Sequence, residues 1–382
     1  MKRLTGWIMA GVLLTACQNN ENPDGLTTID LNQFYPEKEL ILQDFMEVQY
    51  VPLESSDEFI TSATIKAVGE KYFVMTSDRK LLLFDRHTGK GIRVINRVGQ
   101  GAEEFTYAYD VVLDEANKEL IVNDPTIKKF LVYDLEGNFK RSFKHSGEHK
   151  FVDVNGFDKD FLVCYDENIF MDAEKAEIDN SRAYHFLISK QDGSIVQEIP
   201  VPYEKLNIPM IQEGGITSIG NVNAIMPLHN DMLIIQNSSD TIYRFTAKGH
   251  KTVPFLVKIP SSDPERLMTI GTVTSRYCFF QTTDKTFNPK TGRGFPFREL
   301  VYDTQTNEIF LSVVLNADYT SKQQVDMVRL AQNGKISCVQ ALHPHKLIEA
   351  YEKGELRGQL KEIASQLNDD SNPVIMLMKE RN

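Results

Sequence analysis

Tryptophan is nearly absent from this sequence, since the only one is Trp7. Sugar-binding platforms favour Trp over Tyr and Phe, so its scarcity removes the strongest sign of glycan binding. The 14 Tyr and 22 Phe still allow a glycan ligand. Clusters of Lys and Arg are also missing, and the formal net charge is −11, which argues against nucleic acid as a partner.

Cysteine is scarce too, with four in the chain. Cys17 stands apart near the N-terminus, whereas Cys164, Cys278 and Cys338 each lie in an apolar run without CxxC spacing. This placement predicts three buried thiols on strands. One disulfide with a leftover thiol is the alternative in an oxidising compartment.

The N-terminus has the pattern of an export signal. Lys2 and Arg3 precede a short apolar stretch, 4–16, which is too short to span a membrane. Its end, Leu-Thr-Ala-Cys, resembles the lipobox of bacterial lipoproteins, in which the Cys becomes the acylated N-terminus. A cleaved signal with a chance Cys at position 17 is the alternative.

The resulting domain plan has a signal peptide at 1–16, a polar tether at 17–25 and one large domain at 26–382. Lipidation at Cys17 is therefore predicted, with the lipid anchor in a membrane. The residue after it is Gln18 rather than Asp, which favours the outer membrane over retention in the inner one. Whether the domain faces the periplasm or the cell exterior stays open.

From 64 to 314 the sequence lacks helical periodicity and shows short β-branched and aromatic runs punctuated by Gly, Asn and Asp. The runs come in groups of four. The turn before the fourth run of each group contains Gly89, Gly137, Gly193, Gly249 or Asn307, at steps of 48 to 58 residues. Four short strands per repeat are typical of a propeller blade, so this region predicts five blades.

A sixth blade needs strands from both chain ends. A hairpin is predicted from Met327–Leu330 and Lys335–Leu342 around the Asn333-Gly334 turn, followed by one helix opened by Pro344 and a last strand at Val374–Met378. The N-terminal strand Gln43–Leu53 would complete the blade and remove the open edges. The predicted fold is therefore an all-β, six-bladed β-propeller, closed by pairing of its N- and C-terminal strands, with one short C-terminal helix inserted in the last blade. Five blades with a separate terminal lid is the alternative.

Three motifs carry a family resemblance: Val51-Pro52-Leu53-Glu54, Gly99-Gln100-Gly101-Ala102-Glu103-Glu104-Phe105 and Asn372-Pro373-Val374. With them, the chain resembles the six-bladed β-propeller lipoproteins common in gut commensal Gram-negative bacteria. Their pattern has a P-L-E strand, a G-x-G-P-G-E-[FY] corner and an N-P-V final strand, and their shape is similar to NHL-type propellers, which are mainly binding scaffolds. Ala102-Glu103 departs from the Pro-Gly of that corner.

The corner 97–107 joins the outer strand of the first blade to the inner strand of the second. It would place Arg97, Glu103, Glu104 and Tyr107 near the mouth of the central channel, where propellers usually bind ligands. The structural alternative is that Gly99 and Gly101 serve the backbone while Glu104 caps or pairs locally.

The insertion 282–298 contributes a second candidate region. It combines Lys and Arg residues, including Arg298, with three Phe, and Arg276 precedes it on the adjoining strand. Arg276 and Arg298 are therefore candidate ligand contacts, with an ordinary hairpin loop as the alternative.

Motifs for catalysis, metals and cofactors are weak. The pairs His145/His149 and His343/His345 lack a third ligand nearby in sequence, and Asp85 and Asp134 occupy turn positions where Asp caps its own backbone. We therefore expect no cofactor and no metal.

The sequence favours a non-enzymatic lipoprotein that holds a glycan, a peptide or a protein partner at the channel mouth. A periplasmic or surface hydrolase or lyase is the alternative. It would need three or more converging His, Asp or Glu on neighbouring inner strands.

Overall fold

The structure is a computed structural model that describes residues 25–381, apart from 62, 176–180, 214, 221–222, 289, 291, 329–330 and 334–335. Cys17 and the predicted signal peptide lie outside the described residues. The described part begins with β1 (Thr27–Asp30), β2 (Glu37–Ile41), the short helix α1 (Leu42–Phe45) and β3 (Met46–Pro52).

Three four-stranded antiparallel blades follow in chain order. Blade 1 contains β4 (Ile65–Val68), β5 (Tyr72–Ser77), β6 (Lys80–Asp85) and β7 (Gly91–Ile95). Blade 2 contains β8 (Asp110–Asp114), β9 (Glu119–Asp124), β10 (Lys129–Asp134) and β11 (Phe139–Lys144). Blade 3 contains β12 (Phe151–Gly156), β13 (Phe161–Asp166), helix α2 (Asn168–Asp172), β14 (His185–Ser189) and β15 (Ile195–Ile199).

The second half of the ring carries the insertions. The hairpin β16 (Met210–Glu213) and β17 (Ile216–Ile219) precedes blade 4, which contains β18 (Ile225–Leu228), β19 (Asp231–Ile234), β20 (Thr241–Phe245) and β21 (Thr252–Ile259). Blade 5 contains β22 (Arg266–Val273), β23 (Tyr277–Asp284), the hairpin β24 (Phe287–Asn288) and β25 (Arg293–Gly294), β26 (Phe297–Asp303) and β27 (Glu308–Leu315). The last elements are β28 (Ala331–Asn333), β29 (Ile336–Leu342), α3 (Pro344–Glu352), α4 (Gly358–Ala364) and β30 (Val374–Glu380).

The sixth blade closes the ring with strands from both ends of the chain. Its order is β28-β29-β30-β3, and β3 pairs antiparallel with β30 from Met46 opposite Glu380 to Pro52 opposite Val374. The predicted six-bladed propeller with N- and C-terminal strand pairing is therefore confirmed, and the five-bladed alternative is wrong.

Three details differ from the prediction. Blades 4 and 5 each gain a fifth, outermost strand, because β1 pairs parallel with β21 and β2 pairs parallel with β27. Two helices, α3 and α4, replace the single predicted helix, because Gly354 between them and Gly358 at the start of α4 both adopt left-handed backbone conformations. The first strand of the last hairpin lies at Ala331–Asn333 rather than 327–330, and Gly334 of its predicted turn lies outside the described residues.

The core is divided into six apolar clusters, one at each interface between neighbouring blades. At the closing interface, Val339, Ile375 and Leu377 of blade 6 pack against Phe73 and Phe84 of blade 1. Middle strands such as β9 and β10 are buried on both faces, which explains near-continuous apolar runs such as Phe-Leu-Val-Tyr in β10. Among the described residues, no helix is long and apolar enough to cross a membrane.

The turn and cysteine predictions agree with the structure. Asp85 accepts hydrogen bonds from the backbone N–H groups of His87 and Thr88, and Asp134 accepts those of Glu136 and Asn138. Both carboxylates are thus structural turn caps. Cys164, Cys278 and Cys338 are buried free thiols, as predicted.

Candidate functional site

The inner strands of blades 1 to 4 surround a channel cavity of about 570 Å³. A second cavity of about 750 Å³ opens beside it, between the start of those strands, helix α2 and the hairpin β16–β17. Both cavities are lined by Tyr109, Asp110 and Asp153, so the second one forms a mouth of the channel. We call it the mouth cavity.

An exposed aromatic pair stands at the entrance to the mouth cavity. The rings of Tyr107 and Tyr109 meet edge to face with centroids 6.3 Å apart, and the two side chains are 46% and 45% exposed. The Nζ of Lys66 donates a hydrogen bond to the Tyr109 carbonyl at 2.8 Å and lies 5.6 Å from the Tyr107 ring centroid. This arrangement presents a partly exposed aromatic surface beside an anchored cation, which lies over the Tyr107 ring.

The position of Tyr107 is fixed by the turn after β9. The Oδ2 of the fully buried Asp124 accepts hydrogen bonds from the Thr106 N–H, the Thr106 hydroxyl and the Tyr107 N–H at 2.7, 2.6 and 3.1 Å. Because this carboxylate holds the end of the corner 97–107, the Tyr107 ring is presented by a rigid backbone.

Asp110 forms the floor of the mouth cavity and belongs to a buried polar chain. The Asn123 side chain donates to Asp110 Oδ2 at 3.0 Å, and its Oδ1 lies 2.9 Å from His145 Nε2. His145 Nδ1 accepts the Phe151 N–H at 3.1 Å, so Nε2 carries the proton that is donated to Asn123. Burial raises the pKa of Asp110 to about 6, against the opposing effects of the Asn123 hydrogen bond and the Lys66 charge.

Asp153 adds a second carboxylate on the neighbouring inner strand. Its backbone is left-handed, with φ 49°, at a bulge in β12. The carboxylate accepts the N–H groups of Ala224 and Ile225 at 2.7 and 2.9 Å, which ties blade 3 to blade 4. Burial, with the charge of Asp110 adding to it, raises the pKa of Asp153 to about 7.

The rim of the mouth cavity is more apolar and comes from the insertions. Met171 of α2 and Ile219 of β17 are 65% and 60% exposed, and both line the cavity. The adjoining wall carries Glu174, whose carboxylate accepts a hydrogen bond from Gln212 at 3.1 Å, and an ion pair between Lys150 and Glu167. An apolar rim thus surrounds an acidic floor.

Of the residues predicted in the corner 97–107, Tyr107 packs against Tyr109 of the mouth cavity but lines neither cavity itself, and the other three lie between blades 1 and 2. Arg97 donates to the Gly137 carbonyl at 3.0 Å, the Glu103 carbonyl accepts the Tyr133 hydroxyl at 2.8 Å, and Glu104 accepts the Gly101 N–H at 2.9 Å. The corner therefore has the local capping geometry that its glycines and Glu104 predicted.

Arg276 and Arg298 lie away from the mouth. Arg276 forms a bidentate ion pair with Asp303 and stacks on Tyr277, and Arg298 lies 3.6 Å from Asp284 beside a cavity of about 30 Å³. Among the described residues that line the channel and the mouth cavity, none is Arg97, Glu103, Glu104, Arg276 or Arg298. A ligand role for these five stays a prediction.

The two histidines of the pair His145/His149 hydrogen-bond to different partners. His145 belongs to the Asn123 chain, whereas His149 Nδ1 lies 2.7 Å from Asp166. Within the part of the chain that the structure describes, no three His, Cys, Asp or Glu side chains are placed to hold a metal ion.

Sequence reasoning missed Lys66, Asp110 and Asp153. Each lies within the first three residues of an inner strand, at the end that faces the mouth. A search for polar residues at those positions would have identified them once the blades were assigned, because inner-strand ends converge on the channel.

Comparison with solved structures finds similarity to proteins of Bacteroides. A crystal structure of a protein named as exported, from Bacteroides fragilis NCTC 9343, matches with TM-score 0.63 and 13% identity, covering 93% of this chain and 100% of that one. A member of the DUF4221 family from Bacteroides vulgatus matches with TM-score 0.49 and 9% identity, covering 89% of this chain and 99% of that one. Among curated proteins, none matches the chain. The chain belongs to the family described as "Domain of unknown function (DUF4934)", which matches residues 26–379.

Proposed function

We propose that the protein is a binding lipoprotein of the cell envelope, whose propeller holds a peptide with a basic group in the mouth cavity. The observation that carries the proposal is the pairing of an exposed aromatic surface, Tyr107 and Tyr109, with a floor of two carboxylates, Asp110 and Asp153. A cavity of about 750 Å³ is within the size range of ordinary ligand sites.

Charge favours a cationic ligand over a neutral one. The lining of the mouth cavity has four carboxylates, Asp110, Asp153, Glu167 and Glu174, against the Lys150 ammonium and that of Lys66 beside the tyrosine pair. Carboxylates and aromatic faces together recognise ammonium and guanidinium groups. The exposed side chains of Met171 and Ile219 would contact apolar residues that flank the basic group.

The raised pKa values of Asp110 and Asp153 predict how the affinity for a basic peptide changes with pH. A bound ammonium interacts only with the ionised forms of Asp110 and Asp153, whose pKa values are raised to about 6 and about 7. Affinity for a basic peptide is therefore highest above pH 7 and falls as the pH drops through 7 and 6.

Anchoring through Cys17 is the second part of the proposal, supported by the Leu14-Thr15-Ala16-Cys17 sequence after Lys2 and Arg3. It places the domain at the outer membrane, on the periplasmic or the cell-surface side. Cells expressing the full chain should incorporate an alkyne-labelled palmitate, and Cys17→Ala should abolish both the label and membrane fractionation.

Binding is tested by titrating the purified protein with a library of lysine- and arginine-containing peptides and, in parallel, with neutral oligosaccharides. We expect a basic peptide to bind, and both Tyr109→Ala and Asp110→Asn to weaken it by about tenfold or more. Tyr351→Ala is the matched control, because Tyr351 is comparably exposed (37%) on α3.

Two results would contradict the proposal. Saturable binding of neutral oligosaccharides alone would replace the peptide by a glycan. Equal affinities of wild type, Tyr109→Ala and Asp110→Asn would place binding outside the mouth cavity. The hydrolase or lyase alternative is not favoured, because Asp110 and Asp153 are the acidic residues on the described inner strands that line the channel. Glu70, Glu115 and His229 line it beyond the strand ends, where the Glu115 carboxylate accepts the backbone N–H groups of Glu70, Lys71 and Tyr72.

A further inference from the structure

Two lysines of the described chain are almost fully buried, and they differ in their partners. Lys190 is 3% exposed, and its Nζ lies 2.6 Å from the Asp114 carboxylate. Lys258 is 5% exposed on β21, and its Nζ donates to the Asn237 carbonyl at 2.9 Å. Among the described residues, no carboxylate oxygen lies within 4 Å of the Lys258 Nζ.

An ammonium has three N–H donors, so the Asn237 carbonyl satisfies one and leaves two to be accounted for. Burying a cation without a counter-ion is costly, and proteins usually provide a partner, as Asp114 does for Lys190. Lys258 therefore differs from Lys190 in having no carboxylate among the described residues in direct contact with its ammonium group.

A cavity of about 520 Å³ adjoins Lys258 between blades 4 and 5. Its walls are the loop between β19 and β20, the segment before β16, the end of β21 and the start of β22. Potential donors to an anion in this wall are the side chains of Asn207, Asn237, Ser239, Lys205 and Lys285, whereas the hydroxyls of Ser238 and Ser261 already donate to the carbonyls of Asn207 and Pro264.

The charges around the cavity are mixed, because its lining holds three carboxylates, Glu204, Asp240 and Glu265, and four cationic side chains, Lys205, Lys258, Arg266 and Lys285. Lys285 lies on its wall, 3.1 Å from Asn207 Oδ1 and 3.4 Å from the half-exposed carboxylate of Glu265. Arg266 is already paired with Asp284 at 2.8 Å. Burial lowers the pKa of Lys258 to about 8, and the charges of Asp240 and Glu265 offset only part of this effect.

We propose that this inter-blade cavity binds an oxyanion, a carboxylate or phosphate group of a small molecule, with Lys258 as its buried contact and Lys285 as its second cation. The site is separate from the mouth cavity, and none of the described residues that line one also lines the other. An acidic sugar and a phosphate ester share the required chemistry.

Calorimetric titration of the purified protein with inorganic phosphate and with galacturonate tests the site. We expect saturable binding of at least one probe, and the stronger probe identifies the source of the oxyanion. Lys258→Met should abolish binding while raising the melting temperature of the ligand-free protein, because it keeps the apolar stem and removes an uncompensated buried charge.

Three controls separate this role from a structural one. Lys258→Arg keeps a charge and should retain measurable binding, and Lys248→Met, at an exposed position outside the cavity, should leave affinity unchanged. Asp110→Asn in the mouth cavity should leave anion binding unchanged. The proposal is overturned if neither probe binds wild type, if Lys258→Met binds as wild type does, or if Lys258→Met lowers the melting temperature of the free protein.

Discussion

The Nζ of Lys190 lies 2.6 Å from Oδ2 of Asp114, and this ion pair joins blade 3 to blade 2 with both side chains about 5% exposed or less. Burial opposes ionisation of Asp114, yet hydrogen bonds from Lys190 and Asn117 hold its pKa below the usual value. Both charges are thus compensated within the interface between the two blades.

Removing one partner of this pair should be strongly destabilising. Lys190→Met leaves the Asp114 carboxylate buried without its cation, and we expect a loss of about 3–5 kcal/mol in the free energy of unfolding. Guanidinium denaturation measures it. The control is Lys353→Met, which breaks the exposed pair with Glu349 on α3 and should leave stability unchanged within error. Equal effects of the two substitutions would show that the buried pair does not stabilise the fold.

Asn372 should be essential to ring closure. Its side chain donates to the carbonyls of Glu54, at 2.6 Å, and Phe59, and accepts the Thr61 N–H at 3.0 Å. Asn372→Ala leaves these three backbone groups without their partner, so we expect a loss of about 2–4 kcal/mol.

The same substitution should loosen the closing strands selectively. Hydrogen exchange should accelerate in β3 and β30 before it does in blade 3. Asn368→Ala is the control, because the exposed side chain of Asn368 accepts hydrogen bonds from the Asp370 N–H and the Ser371 hydroxyl within its own loop. Uniform acceleration in all blades would argue against a local role for Asn372 in closure.

The strands that are easiest to predict from the sequence are those whose burial shows directly in a local run of apolar residues. β10, Lys129–Asp134, coincides with one of the apolar runs of the predicted repeat, because a strand buried on both faces must be mostly apolar. β2 was missed, because Glu-Lys-Glu-Leu-Ile has an exposed pattern and is a strand only through parallel pairing with β27. Such a pairing depends on the position of the outer edge of blade 5 in the folded ring, and the local sequence of β2 contains no information about that position.

The candidate site was less predictable for a related reason. Tyr107 was identified from its position after the Gly-rich corner, but Asp153 reaches the channel through a bulge and a left-handed backbone at a residue other than Gly. The rim depends on α2 and the hairpin β16–β17, which are insertions outside the repeat. The repeat therefore predicts the position of the channel mouth, whereas the insertions determine the shape and the side chains of its rim.

Gly89 should tolerate no side chain. Its φ is +72°, and a Cβ there would lie 2.0 Å from the Pro52 carbonyl oxygen of the closing strand β3. Gly354→Ala is the matched control, because Gly354 has φ +71° and no atom within 4 Å of the added Cβ. We expect Gly354→Ala to cost about 1–2 kcal/mol and Gly89→Ala at least about 1 kcal/mol more, measured by thermal and denaturant unfolding. Similar losses would mean that β3 can shift without penalty.

His145 should make the protein sensitive to acid. Burial, with the charge of Lys128 adding to it, lowers the pKa of His145 to about 4. In the unfolded chain a histidine titrates near 6.5, so between pH 6.5 and 4 the unfolded state binds the extra proton and stability falls as the pH falls.

The contribution of His145 is isolated by comparing wild type with His145→Gln, which keeps a donor and an acceptor but does not titrate. His185, Asp110 and Asp153 also have shifted pKa values, but they are present in both proteins and cancel in the difference. We expect the stability advantage of wild type over His145→Gln at pH 7 to shrink by about 2 kcal/mol at pH 5, measured by urea denaturation. An advantage that is the same at both pH values would mean that folding does not lower the pKa of His145, so that its side chain is protonated in the folded protein at pH 5. A protonated Nδ1 cannot accept the Phe151 N–H, so the hydrogen-bonded chain from Phe151 through His145 and Asn123 to Asp110 would be broken.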